Sequence, residues 1–253
     1  MLTLIAISSS LSVDAQARYL IPREVNLDSF IRRNIQPSYG HRESNKLITE
    51  GFYPIGWSRD GKFAYYLEPA DEACGCYFAE LRIQDLRTDK ILWEFKNDPQ
   101  SRVDGKGEIV TDDIRKLWRR NQKLFNEKLR EHGIVPAAGR SILLSLTFNS
   151  AGTRYTAKVT TRKAHEAGPG MDFVRAVKLE FSSPTLGKKD LYSADYKSDT
   201  YPPLDIRVAG ALKSPFEDRA AIVMLNVLRG WEGPPHTVDV KIVGADLKSG
   251  FRK

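Results

Sequence analysis

Residues 57–65 read Trp57-Ser58-Arg59-Asp60-Gly61-Lys62-Phe63-Ala64-Tyr65, and this stretch decides the fold class. Gly61 supplies the positive φ that a tight antiparallel hairpin needs, because it has no Cβ to clash in the left-handed region. Upstream, residues 52–57 are apolar and aromatic; downstream, Lys62-Phe63-Ala64-Tyr65-Tyr66-Leu67-Glu68 returns as the partner strand. Residues 77–85 alternate apolar and polar side chains, the period of a half-buried strand. After a turn at residues 86–90, Ile91-Leu92-Trp93-Glu94-Phe95 supplies a fourth strand. Four short strands joined by short turns make one antiparallel, blade-like sheet.

Farther along the chain, Asp112 and Asp113 favour the positive end of a helix that Thr111 or Asp112 caps and Gly133 stops. Ile114, Leu117, Trp118, Leu124, Phe125 and Leu129 recur at spacings of three and four on one face. Arg115, Arg119, Arg120 and Lys123 form a basic surface on the opposite face. Such a face either lies on anionic membrane or an acidic partner, or is simply solvated while the apolar side packs on a sheet. Strands resume near residues 141–148, 153–161, 173–181, 206–212, 220–228 and 236–243. Residues 182–204 read as a long polar loop. The sequence therefore predicts a mainly β, antiparallel protein with one inserted amphipathic helix.

The residue 57–65 stretch resembles the aromatic-Ser-x-Asp-Gly-Lys-aromatic-small signature of the inner hairpin in WD-repeat and TolB-like propeller blades. Residues 148–156, Phe-Asn-Ser-Ala-Gly-Thr-Arg-Tyr-Thr, look like a second copy, and residues 214–223, beginning Ser-Pro, like a third that lacks the glycine. The resemblance implies blade-like sheets. A closed propeller needs about four blades of 40–50 residues each, and too little chain is left for that, so a partial propeller or sandwich is expected. A looser similarity links residues 221–234, with Gly230-Trp231-Glu232-Gly233-Pro234, to an uncharacterised family of predicted secreted bacterial proteins. Residues 231–235 read as a rigid turn with Trp231 capping the core.

The chain divides into a signal-like segment (1–17), an arm with one short helix near residues 27–33 (18–50), the blade-like unit (51–100), a helical insertion (101–135) and a β-rich remainder (136–253). The apolar run at residues 2–13 ends in Ala15-Gln16-Ala17, the small-x-small pattern of a signal peptidase site, although no basic residue precedes the run. An exported location, periplasmic or extracellular, is expected. Net charge is +7, and +8 once Asp14 leaves with residues 1–17. A basic exported chain favours anionic partners: a protein's acidic face, a polysaccharide or an anionic membrane surface. No nucleic-acid partner is expected. The two cysteines, Cys74 and Cys76, flank one glycine. A strained disulfide, a redox or copper pair and two packed thiols all remain open, with the disulfide favoured because no His or Met stands beside them.

Of enzyme motifs there is little. The four histidines are scattered, so no metal or other cofactor site is expected. No Gly-x-Ser-x-Gly elbow exists, and the glycines of residues 104–107 lack the Gly-Lys-Ser/Thr ending of a phosphate loop. The loop at 182–204 offers Tyr192, Tyr196 and Tyr201 with Asp195 and Asp199 as candidate ligand-binding residues, since rings stack and carboxylates accept hydrogen bonds. The leading expectation is an exported, non-enzymatic binding or envelope-associated protein. The alternative is a hydrolase-like enzyme whose Asp and Glu carboxylates only the fold brings together. A cleft holding two carboxyls of raised pKa favours the enzyme; a shallow aromatic or basic surface favours binding.

Overall fold

The structure, a computed structural model, describes residues 19–40, 47–72, 76–97, 112–137, 141–166, 170–196 and 201–253. Strand makes up 51% and helix 14%, so the protein is mainly β. The chain enters through α1 (Asp28–Asn34), α2 (Gln36–Tyr39) and the two-residue β1 (Ile48–Thr49). Val25, Leu27, Ile31 and Ile35 of this segment are buried in the main core.

The Asp60-Gly61 turn joins β2 (Gly51–Trp57) to β3 (Lys62–Glu68), with Gly61 at φ +88°. Ser58 closes it: its N–H donates to the Lys62 carbonyl at 2.9 Å, and its Oγ accepts from the Lys62 N–H at 2.8 Å. Trp57 and Phe63 face each other across the pair, both buried, their ring centroids 4.5 Å apart. β4 (Ala79–Asp85) and β5 (Lys90–Asn97) continue the meander, and β6 (Val135–Pro136) adds to the free side of β2.

α3 (Ile114–Glu131) packs Leu117, Trp118, Phe125 and Leu129 on the outer face of this first sheet. Its cap is Asp113, which accepts from the Lys116 N–H at 2.7 Å, one residue later than expected; Asp112 pairs with Arg120 instead. Leu124, assigned to the apolar stripe by spacing, is exposed. At the far end the Gly133 N–H donates to the Arg130 carbonyl and the Ile134 N–H to that of Leu129. This is the paired closure that a left-handed glycine permits.

A second meander comprises β7 (Thr147–Ser150), β8 (Thr153–Glu166), β9 (Met171–Ser183) and β10 (Gly187–Asp195). Its first turn has both central residues, Ala151 and Gly152, at positive φ, the geometry that matches strand twist. β10 lies inside the expected loop at 182–204. A bulge between Asp190 and Tyr192 shifts the register there and breaks the plain alternation that would reveal the strand. Residues 141–146, expected as strand, contribute a bridge from Leu144 to Ala211 and the Leu146 carbonyl, which accepts from the Ala157 N–H.

The third meander, β11 (Asp205–Lys213), β12 (Arg219–Leu228) and β13 (Thr237–Asp246), gains β1 as a fourth strand, parallel to β13. Each of the three hairpins singled out from sequence joins the first two strands of a meander. The last meander forms the middle layer. β12 is buried from Ala220 to Leu225, as a strand covered on both faces must be. Val223, Leu225, Val240 and Ile242 meet Phe52, Phe63 and Tyr65 of the first sheet. Ile222, Met224 and Val243 meet Tyr155, Leu179 and Phe181 of the second. Among the described residues no helix is long and apolar enough to cross a membrane.

Candidate functional site

β1 pairs with β13 only at Thr237 and Val238. Beyond that point the middle sheet has an open edge, and an unpaired edge must be satisfied or covered. Here side chains of the first layer extend the ladder. The Val240 N–H donates to Glu50 Oε2 at 2.6 Å, Gln84 Nε2 donates to the Ile242 carbonyl at 3.1 Å, and the Gly244 N–H donates to Asp89 Oδ1 at 2.8 Å. Glu50 stands at the corner where the chain leaves β1 for β2; Gln84 is on β4 and Asp89 in the β4–β5 turn. Asp89 holds its position at φ +58°, a left-handed conformation that Asp tolerates better than most residues. Gly244 is required by proximity, since a Cβ there would lie 1.9 Å from the Leu86 carbonyl oxygen.

Over this edge lies a groove of about 680 Å³, walled by Glu50, Glu80, Arg82 and Asp89 on one side and by Asn226, Asp239 and Lys241 on the other, with Tyr192 entering from β10. Glu72, Leu228 and Thr237 also line a second hollow of about 360 Å³ that contains Tyr201, Trp231 and Phe173. The two share a wall and form one run, acidic in the middle and aromatic at one end. Trp231 is 79% exposed and Tyr201 81%. The turn at 231–235 forms, closed by the Gly233 N–H on the Gly230 carbonyl, but Trp231 stands on its rim rather than capping the core. Glu72 fixes the rim by accepting from the Trp231 N–H at 2.8 Å.

Burial shapes the electrostatics. Glu50 is 7% exposed, and desolvation pushes its carboxyl up to about 8 despite the Val240 N–H, with Asp239 adding repulsion. Asp239 is raised to about 6, first by burial and then by Glu80. Asp89 is raised by burial, against the Gly244 N–H that stabilises its ionised form. Arg82 pairs with Glu80 and, at 2.7 Å, with Glu94. Tyr65 donates to Gln84 Oε1 at 2.9 Å. Several polar groups of the floor are thus engaged with one another, while the buried Asn226 Oδ1 has no hydrogen-bond partner among the described residues.

Of the residues picked from sequence, Tyr192 and Tyr201 reach this groove. Lys241 lies over the Tyr192 ring at 4.1 Å. Tyr196 packs beside Tyr192 against the second core, and burial raises its hydroxyl pKa. Asp195 does not line the groove: its side chain is 88% exposed and stands 3.9 Å from Arg162. Asp199 lies outside the described residues. Arg115, Arg119 and Lys123 are exposed on α3, which covers the face of the first sheet turned away from the groove. Arg120 is tied to Asp112. Cys76 is disulfide-bonded and its N–H donates to Asp71; Cys74 lies outside the described residues.

Glu50, Asp239 and Asn226 escaped sequence reading because no local signal marks them. Asp239 and Lys241 look like the solvated face of an alternating strand, and Glu50 is one acid before a strand. Among the described residues no cluster of three or more His, Cys, Asp or Glu could hold a metal ion. No family model, curated protein or solved structure matches the chain.

Proposed function

We propose that this is an exported, non-enzymatic binding protein whose groove takes a segment of an envelope polysaccharide. The observation that carries this is the continuity of the exposed Trp231 and Tyr201 rings with a groove of carboxylate, amide and ammonium groups. A sugar ring offers an apolar C–H face to stack on an aromatic ring and hydroxyls that donate to Asp239. The export part rests on the residue 2–17 pattern, and the disulfide at Cys76 suits an oxidising compartment.

A second reading, a hydrolase, is favoured by one observation: Asp239 and Glu50 carry separated, raised pKa values on the same groove. Against it, Glu50 is buried and one of its oxygens is committed to the Val240 N–H. Only Asp239 of the two is free to meet a ligand. The test is a fluorescence titration of the full chain with soluble envelope polysaccharide fragments, reading the exposed Trp231. Binding should shift and quench the emission, and Trp231→Ala should abolish the response. No response at saturating fragment would overturn the proposal. Release of reducing sugar ends by the wild type, lost in Asp239→Asn, would select the hydrolase.

A further inference from the structure

A second cleft, of about 780 Å³, opens on the other side of the β4–β5 turn, between the β10 edge, the end of β13 and residues 249–253. It shares Asp89 with the groove and has the opposite character: seven basic side chains line it against four acidic ones. Two of its features bring like charges together. Lys188 and Arg252 are directly opposed in an antiparallel bridge, their backbones exchanging two hydrogen bonds of 2.8 Å. Residues so paired project to the same side, and like charges there repel. Lys188 has Glu180 at 3.3 Å, but Arg252 has no carboxylate within 4.0 Å among the described residues.

The second feature lies deeper. Lys189 donates to the carbonyls of Asp246 and Ser249 and rests over the Phe251 ring at 4.2 Å, with no carboxylate in ion-pair contact among the described residues. Arg219 is held through Nη1 on the Leu86 carbonyl and is compensated by Glu217, 3.4 Å from its Nε. The acid that stands near both is Asp246, whose Oδ1 is taken by the N–H groups of Lys248 and Ser249 and whose Oδ2 stands 3.6 Å from Arg219. Burial, with Arg219 adding repulsion, disfavours the charged form of Lys189, although Asp246 opposes this. Positive charge in excess of its local counter-charge is what a bound anion neutralises.

We infer that this cleft is a binding site for a phosphate group, with Arg252 and Lys188 as its outer contacts and Lys189 as the inner cation behind them. The site is separate from the polysaccharide groove and does not depend on it. Inorganic phosphate is the probe, titrated into the full chain by calorimetry with chloride adjusted to hold ionic strength constant. Vesicles containing phosphatidylglycerol form a second arm, read by flotation. Phosphate should bind saturably, and Arg252→Ala should weaken it about tenfold, the loss of one charge-assisted contact. Lys188→Ala, also at an exposed position, gives the same readout if Arg252→Ala does not fold. Binding of free phosphate that falls in the variant assigns the site to a soluble phosphate. Binding of vesicles alone, lost in the variant, assigns it to a lipid headgroup. Failure of both arms, or binding equal in wild type and variant, overturns the site.

Discussion

The middle sheet has two edges, closed in different ways. At β11, Leu144 exchanges backbone hydrogen bonds of 2.8 and 3.1 Å with Ala211. Gly210 lets that segment approach, since a Cβ there would lie 2.2 Å from the Leu144 carbonyl oxygen. At β13 the corresponding groups are met by the side chains of Glu50, Gln84 and Asp89. A backbone seal is apolar on its outside and does not titrate. A side-chain seal stands farther off, leaves a groove of about 680 Å³ and fills it with ionisable groups. The second edge is therefore where ionisable groups, and with them pH sensitivity, reside.

The largest test of that contrast is Glu50. Its folded pKa of about 8 lies above the ordinary 4.5, so the folded state holds the proton more tightly than the unfolded chain. The stabilisation from this group is complete below pH 4.5, declines as pH rises toward 8 and is absent above it; the total is on the order of 5 kcal/mol. Asp239 adds a smaller loss of the same sign between the ordinary 3.8 and about 6. Glu50→Gln keeps an acceptor for the Val240 N–H and cannot ionise. Denaturant unfolding from pH 4.5 to 9 should show the wild type losing stability relative to this variant; parallel curves would refute the buried neutral carboxyl.

Next in size are the two close approaches. Gly244→Ala and Gly210→Ala should each cost about 2–3 kcal/mol through overpacking against backbone. The two should differ in their effect on the groove: Gly244→Ala should also alter it and reduce ligand binding, whereas Gly210→Ala should leave binding of the remaining folded protein unchanged. Equal effects on binding would erase the distinction between the edges. Asp89→Ala should cost about 0.5–1.5 kcal/mol by removing the acceptor of the Gly244 N–H. Asp89→Gly relieves the φ of +58° and should cost less; if thermal melts rank them the other way, the turn conformation carries no strain. Smallest is Trp231→Ala, expected to change stability by no more than about 0.5 kcal/mol because the side chain is exposed.

Much of this architecture is legible in the sequence because it is written locally. The turn at Asp60-Gly61, the paired positive-φ residues at Ala151-Gly152 and the closure at Gly133 are each set by a few adjacent residues. β10 is hidden because its bulge and its Lys, Asp and Ser content mimic a loop. Asp113 displaces Asp112 as the cap because two adjacent acids can serve either role and the ion pair with Arg120 takes one of them. The groove cannot be read from the sequence at all. Glu50 and Val240 are separated by 190 positions, and what gives Glu50 its character is the point where β1 stops pairing with β13. Tyr192 and Tyr201 stand out for their ring chemistry, yet their neighbours in space, Lys241 and Trp231, lie far along the chain.

The most direct test is an amide and indole chemical-shift map of the full chain titrated with envelope polysaccharide fragments. The groove predicts shifts at Asn226, Asp239 and Lys241 and at the Trp231 indole, with Asp195 and the α3 residues Arg115, Arg119 and Lys123 unmoved. Shifts confined to α3 or to the region of Asp195, with the β13 edge silent, would contradict it.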